Sequence, residues 1–319
     1  MEIYSNFFFL ILIVIFNYFF FSNYKFFGEK LNIFDKNIIK QSKKKVYLIG
    51  GVGIFINLIL GFIVTKQLDF LSITFLLSSF LFFLFGYLDD KFNLSANLKL
   101  IVIAILILIL LLNEENLLIK SLYFSTFNYY LSTSILEIPF TILCFGLYLN
   151  AINMYDGLNL QCGLYSIILS TYFFLISSSL FFLILIICLF FFLIFNKKNK
   201  IFLGDNGSLL LGFIFSYFFI KFYNLGYIDG VEEIFILMMI PGIDMFRLFC
   251  QRIHNKKNPF KKDNQHIHHL LIKRFSIMKT NVITQGIFLI SITLYFNINF
   301  ITSFLFFIII YSLILFKRL

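Results

Sequence analysis

Four acidic residues and three clustered histidines are the side chains best suited to chemistry in this 319-residue chain. Asp89 and Asp90 stand together in FGYLDDKFNLSANLKL, Asp156 in NAINMYDGLN and Asp205 in FLGDNGSLLLGF. His266, His268 and His269 form H-x-H-H, on a stretch that also holds Arg252, Lys256, Lys257, Lys261 and Lys262. Carboxylates beside apolar runs are costly to desolvate unless paired or bound to a cation, so such acids are functional candidates by default. Asp156-Gly157 and Gly204-Asp205-Asn206-Gly207 are turn sequences that can aim an acid or backbone N–H groups at a ligand. Acids and bases together suit Mg²⁺ chemistry on a phosphate, since Mg²⁺ takes one or two carboxylates and completes its shell with water and phosphate oxygens.

Plainer readings stand beside these. An acidic pair at a helix end is often a solvated boundary, and Ser208 can be a simple helix cap worth roughly 1 kcal/mol. H-x-H-H is compatible with zinc, but no cysteine lies nearby and the surrounding positive charge opposes a cation. Imidazole, Lys and Arg donors suit phosphate oxygens better. A basic patch on anionic headgroups accounts for Lys43, Lys44 and Lys45, but not for three histidines. Cys144, Cys162, Cys188 and Cys250 lie in or beside apolar runs without CxxC spacing and read as small buried hydrophobes.

The elements that position these residues follow from composition. The chain is 60% hydrophobic and 13% charged, with a net charge of +10. Soluble domains are about a quarter charged, and disorder needs low hydrophobicity. Both classes are excluded, and an all-α polytopic membrane protein remains. About 20 apolar residues span the hydrocarbon, and eleven such runs are expected near 3–22, 47–66, 70–87, 97–113, 134–151, 160–177, 179–196, 207–222, 232–250, 281–296 and 299–316. Only Ser177, Ser178 and Ser179 separate the sixth and seventh, so that hairpin must be tight. No repeat or linker appears, and residues 1–319 read as a single integral-membrane domain.

The first apolar run lacks a preceding basic region and a following cleavage site, which predicts a retained span with its N-terminus outside. The inside segments then hold 23 of the 26 basic residues and 8 of the 16 acidic ones, a net of +15, against −5 outside. Lys and Arg favour the cytoplasmic side. This orientation gathers the acids and all four histidines on the cytoplasmic face.

The ordered motifs DDKFNLSANLKL, NAINMYDGLN, FLGDNGSLLLGF and NPFKKDNQHIHHLL resemble those of the polyprenyl-phosphate N-acetylhexosamine-1-phosphate transferases, in the bacterial branch that starts O-antigen, common antigen or teichoic acid linkage synthesis. The resemblance covers about 75–271 directly. It implies transfer of a sugar-1-phosphate from a UDP-sugar, with UDP-N-acetylglucosamine expected, to undecaprenyl phosphate, with release of UMP. It implies Mg²⁺, with Mn²⁺ as a substitute, a site in the bacterial cytoplasmic membrane, membrane lipid as surroundings, no nucleic acid, and room for a homodimer.

By the same resemblance Asp205 takes the metal-ligand place and Asp156 shares it. Asp89 and Asp90 take the paired-acid place, with Asp89 the base that deprotonates the lipid phosphate. Asp156 and Asn153 line the catalytic pocket, with Asn150 on the same motif among the substrate-binding residues. Lys99 contacts phosphate, Phe202 stacks on uracil, and Arg252, His266, His268 and His269 serve the nucleotide diphosphate. The chain departs from the family at Asn159, where a second Asp is usual, at Leu160, where Gly is usual, and before Gly50-Gly51, where a Pro is usual. H-I-H-H also differs from the three consecutive histidines of the peptidoglycan branch. A cation transporter would instead place its acids mid-span between internal repeats, and an inactive scaffold would not need the acids intact.

Overall fold

The structure is a computed structural model describing residues 2–35, 45–64, 71–257 and 265–316, with side chains from residue 7 onward and excluding Val64. Its α-helices among these residues are α1 (Glu2–Ser22), α2 (Tyr24–Leu31), α3 (Gly50–Val64), α4 (Ile73–Phe92), α5 (Ala96–Asn113), α6 (Glu137–Tyr155), α7 (Gln161–Ser177), α8 (Leu180–Asn196), α9 (Gly204–Asn224), α10 (Val231–His254), α11 (Ile267–Ile272), α12 (Ile277–Asn297) and α13 (Phe300–Phe316). Between α5 and α6 lies a hairpin of β1 (Ser121–Phe124) and β2 (Tyr129–Ser132), antiparallel with Ser121 opposite Ser132.

The protein is an all-α polytopic membrane protein, as its hydropathy implies. Each of the eleven apolar runs is occupied by a helix. Among the described residues, five helices are long and apolar enough to cross a membrane: Ile73–Phe92, Ala96–Asn113, Ser134–Tyr155, Asp205–Asn224 and Ile277–Asn297. A sixth span arises if α1 and α2, bent by 67° at Asn23, count as one. Four more apolar helices are shorter than the usual span: Gly50–Ile63, Gln161–Ser177, Leu180–Asn196 and Phe300–Phe316. Among the described residues, length and composition thus identify five spans, or six with the bent pair, and leave the expected count of eleven unconfirmed.

The chain divides into two compact units, Met1–Leu94 with Asn159–Ile214, and Ser95–Leu158 with Phe215–Leu319. In the first, α8 packs on α1, α3 and α7. The tight serine hairpin forms as expected: Ser178 takes the left-handed conformation and its amide donates to the Phe174 carbonyl at 2.7 Å. One face of α4 carries Phe75, Ser79, Phe82, Gly86 and Asp89–Asp90, which helical spacing lines up in one stripe. Phe75 and Phe82 both stack on Phe213 of α9, at 5.6 and 4.7 Å between ring centroids. That aromatic column fixes the axial register of α4 on α9.

In the second unit, α10 packs on α6, α12 and α13, and α12 and α13 form a hairpin. Ser303 Oγ donates to the Ser291 carbonyl at 2.7 Å across that hairpin. The β-ribbon was not expected from hydropathy. Its turn is held by Glu232, whose carboxylate accepts the amides of Ser125 and Thr126, each at 3.0 Å.

Candidate active site

The residues singled out by sequence fall in two sets, one in each unit. The first unit holds Asp89, Asp90, Phe202 and Asp205. The chain leaves α4 at Asn93, in the left-handed conformation, whose amide donates to the Asp89 carbonyl at 2.8 Å. The Leu94 amide donates to Asp89 Oδ1 at 3.0 Å. Asp89 is 1% exposed. A carboxylate in the last turn of a helix faces the negative end of the helix dipole, so this placement opposes α4's own electrostatics.

Asp90 meets the opposite field. Its Oδ1 accepts the Asp205 amide at 2.8 Å, and its Oδ2 accepts the Asn206 amide at 3.0 Å and the Asn206 side-chain amide. Asp90 thus caps the N-terminus of α9 from another helix, the task that sequence offered to Ser208. The helix starts at Gly204 rather than Gly207, so Asp205 belongs to its first turn and Ser208 lies inside it, fully buried. The close approach depends on Gly86, where a Cβ would collide with the Asp205 carbonyl oxygen. Asn206 Nδ2 also donates to the Leu48 carbonyl at 3.0 Å.

Phe202 is half-buried, and its backbone bridges Tyr47 and Gly50: its amide donates to the Tyr47 carbonyl at 2.9 Å and its carbonyl accepts the Gly50 amide at 3.1 Å. At the departures from the family pattern, Asn159 donates its side-chain amide to Asn199, and Leu160 sits at φ 73° with its amide on Asn196 Oδ1 at 2.6 Å.

The second unit holds Lys99, Asn150, Asn153, Asp156, Arg252, His266, His268 and His269. Lys99 lies partly exposed in the first turn of α5. Asn150 and Asn153 are half-buried on the last turns of α6, and Asp156 is its C-cap residue. Asn150 Nδ2 donates to the Gly146 carbonyl at 2.8 Å. Arg252, in the last turn of α10, is 6% exposed. Lys43, Lys44, Lys261, Lys262 and the NPFKKDN half of the fourth motif lie outside the described residues.

The three histidines form one cluster on α11. The rings of His266 and His268 are parallel, 5.3 Å apart, and His269 lies 4.3 Å from His268. His268 is fully buried, edge-on to the Tyr155 ring, and is brought against Gly157, where a Cβ would collide with its Nε2. Asp156-Gly157 and H-x-H-H, more than a hundred residues apart, are therefore neighbours. Burial, and then the adjoining rings of His269 and His266, push the His268 imidazole down to about 3, so the ring is neutral at physiological pH. His269 is the most exposed of the three.

Sequence reasoning missed the residue that holds this cluster. Asp244, 2% exposed on α10, accepts from His266 Nδ1 at 2.8 Å, Arg247 Nη2 at 2.8 Å, the Tyr311 hydroxyl at 2.8 Å and the Ile267 amide at 3.2 Å. Arg247 Nε donates to the Tyr311 oxygen at 2.7 Å and its Nη2 to the Gln265 carbonyl at 2.8 Å. The available signal was an Asp–Arg pair at i,i+3 inside the apolar run 232–250.

Among the described residues, no group of three or more His, Cys, Asp and Glu side chains has metal-binding geometry. Mg²⁺ asks for less, typically one or two carboxylates. Both oxygens of Asp90 are taken by α9, whereas the Asp205 carboxylate is partly exposed in the first turn of that helix. A partly exposed carboxylate such as that of Asp205 suits Mg²⁺, which completes its shell with water and phosphate oxygens, better than zinc, which favours nitrogen and sulfur ligands.

The pattern of glycosyl transferase family 4 matches residues 72–223. The undecaprenyl-phosphate alpha-N-acetylglucosaminyl 1-phosphate transferase of Thermotoga maritima is 30% identical over 292 residues, covering 89% of this chain and 87% of that protein. The proteins of the same name from Yersinia pestis and Escherichia coli K12 are each 26% identical, covering 76% and 77% of this chain and 70% and 71% of their own lengths. The matched pattern runs from the start of α4 through the Asp156 and Asp205 motifs, and the Thermotoga relative extends the likeness over most of the chain: it belongs to glycosyl transferase family 4.

Proposed function

We propose that this protein transfers N-acetylglucosamine-1-phosphate from its UDP derivative to undecaprenyl phosphate, the first membrane step of a cell-envelope glycan. An oxygen of the lipid phosphate attacks the β-phosphorus of the UDP-sugar, the bond from that phosphorus to the bridging oxygen breaks, and UMP leaves with the oxygen. Phosphoryl transfer depends on positioning and charge neutralisation more than on covalent chemistry. The observation that carries the reading is the junction of two distant motifs at Asp90 and Asp205, in a chain whose relatives bear this activity in their names.

Each residue has a task. Asp89, buried at the end of α4, is the base for the lipid phosphate. Asp90 fixes the first turn of α9 and so the direction of Asp205. Asp205 and Asp156 each carry the metal-ligand role that the resemblance implies, and Mg²⁺ would supply charge neutralisation at the diphosphate. Asn150 and Asn153 serve the sugar nucleotide, and Phe202 stacks on its uracil. Lys99, Arg252, His266 and His269 donate to phosphate oxygens. His268, neutral and buried, packs the Asp156 turn against the histidine helix. The charge segregation in the sequence supports a cytoplasmic site in the inner membrane, with the N-terminus outside.

Purified protein given UDP-N-acetylglucosamine, undecaprenyl phosphate and Mg²⁺ should release UMP, with Mn²⁺ substituting. Asp205→Asn should lower the rate by about a hundredfold or more, as loss of a charge-stabilising group does. If no UDP-sugar in a panel released UMP faster with the native protein than with Asp205→Asn, the reading fails.

A further inference from the structure

Within the second unit, a groove of about 600 Å³ opens where α11 meets the hairpin of α12 and α13. Its walls are apolar: Leu271 from α11, Ile283 and Ile287 from α12, and Ile310 and Ile314 from α13. Its rim carries two cations, Lys273 and Arg274, both exposed, on the turn between α11 and α12. This turn lies at the N-terminal end of α12, and the antiparallel α13 ends beside it at Phe316. The groove therefore joins a positively charged mouth at a membrane boundary to an apolar trough running into the span.

That arrangement has the polarity of an anionic phospholipid. Lys and Arg side chains at the interface attract anionic headgroups. The volume is in the range of ligand sites, and isoleucine and leucine walls suit acyl chain. We propose that this groove binds one anionic phospholipid of the bilayer, its phosphate between Lys273 and Arg274 and its chains along α12 and α13. Because α11 forms one wall and carries the histidines, the lipid braces the helix that presents His266 and His269.

Native mass spectrometry of the full-length protein tests this without reference to turnover. Protein stripped of lipid in neutral detergent is titrated with phosphatidylglycerol or phosphatidylcholine. Native protein should retain one phosphatidylglycerol and no phosphatidylcholine. Each interfacial cation is worth about fivefold in affinity, so the Lys273→Gln, Arg274→Gln double variant should bind phosphatidylglycerol about thirtyfold more weakly. The charge-conserving Lys273→Arg, Arg274→Lys variant should match native protein. Both side chains are exposed, so substitution should leave the fold intact; if the double variant nonetheless lacks a melting transition, Lys273→Gln alone should cost about fivefold. Equal retention by native and Gln-substituted protein overturns the proposal, as does equal retention of phosphatidylcholine. Stoichiometric displacement of phosphatidylglycerol by undecaprenyl phosphate also overturns it, since the groove would then belong to the substrate.

Discussion

Asp90 Oδ1 accepts the backbone amide of Asp205 at 2.8 Å, a bond that closes 115 residues of chain. The neighbouring acid, Asp89, turns instead to its own helix end, accepting the Leu94 amide at 3.0 Å. Two adjacent carboxylates thus do different work. Asp90 satisfies the orphan donors at the start of α9, and Asp89 is held at the electrostatically wrong end of α4.

The two acids should separate on substitution. Asp90→Ala removes a charged cap and should cost about 1–2 kcal/mol, read as a lower thermal midpoint in detergent. Asp89→Asn should lower UMP release by orders of magnitude while changing the midpoint less than Asp90→Ala and leaving UDP binding measurable. Equal turnover of Asp89→Asn and native protein would remove Asp89 as the base.

Asp244 should matter for both stability and nucleotide affinity. Breaking a buried charge pair by removing one partner costs about 3–5 kcal/mol, and Asp244→Ala strands Arg247, Tyr311 and His266 together. Asp244→Asn keeps an acceptor and the shape, so it should retain more stability while losing the charge that orients His266. Its signature is a raised KM for the UDP-sugar with a smaller change in kcat. An unchanged KM would limit Asp244 to a structural role.

His268 makes stability depend on pH in a defined direction. Its pKa falls from 6.5 to about 3 on folding. Between these values the unfolded chain binds a proton that the native ring refuses, so stability rises with pH across the window and is lost as pH falls below 6.5. The slope is about 1.4 kcal/mol per pH unit, before other groups are added. His268→Phe should flatten the fall of the thermal midpoint between pH 6.5 and pH 5 relative to native protein. Parallel curves would show that the ring is not held neutral.

Leu160 reverses an ordinary expectation. Its left-handed backbone costs a non-glycine residue about 1–2 kcal/mol, but its buried side chain contributes about 2–3 kcal/mol. Leu160→Gly relieves the strain and loses the burial, for a net loss of about 1 kcal/mol. Leu160→Ala loses most of the burial and keeps the strain, so it should be the less stable of the two. Thermal midpoints ordered native, Gly, Ala confirm this; Ala above Gly would place the cost elsewhere.

The sequence by itself determined where the helices lie. A run of apolar residues signals a helix regardless of its partners, because the membrane rather than a neighbour sets its length and polarity. The eleven runs, the serine hairpin and the acid and histidine motifs were legible for that reason. Tertiary structure alone decided which side chain meets which. That Asp90 rather than Ser208 caps α9 depends on the Phe75–Phe82–Phe213 column and on the missing side chain at Gly86, features spread over two helices. That Asp244, itself bonded by Tyr311, anchors His266 depends on packing across α10, α11 and α13. Hydropathy carries no record of such pairings, since each links residues tens to more than a hundred positions apart, and it is these links that turn isolated motifs into candidate chemistry.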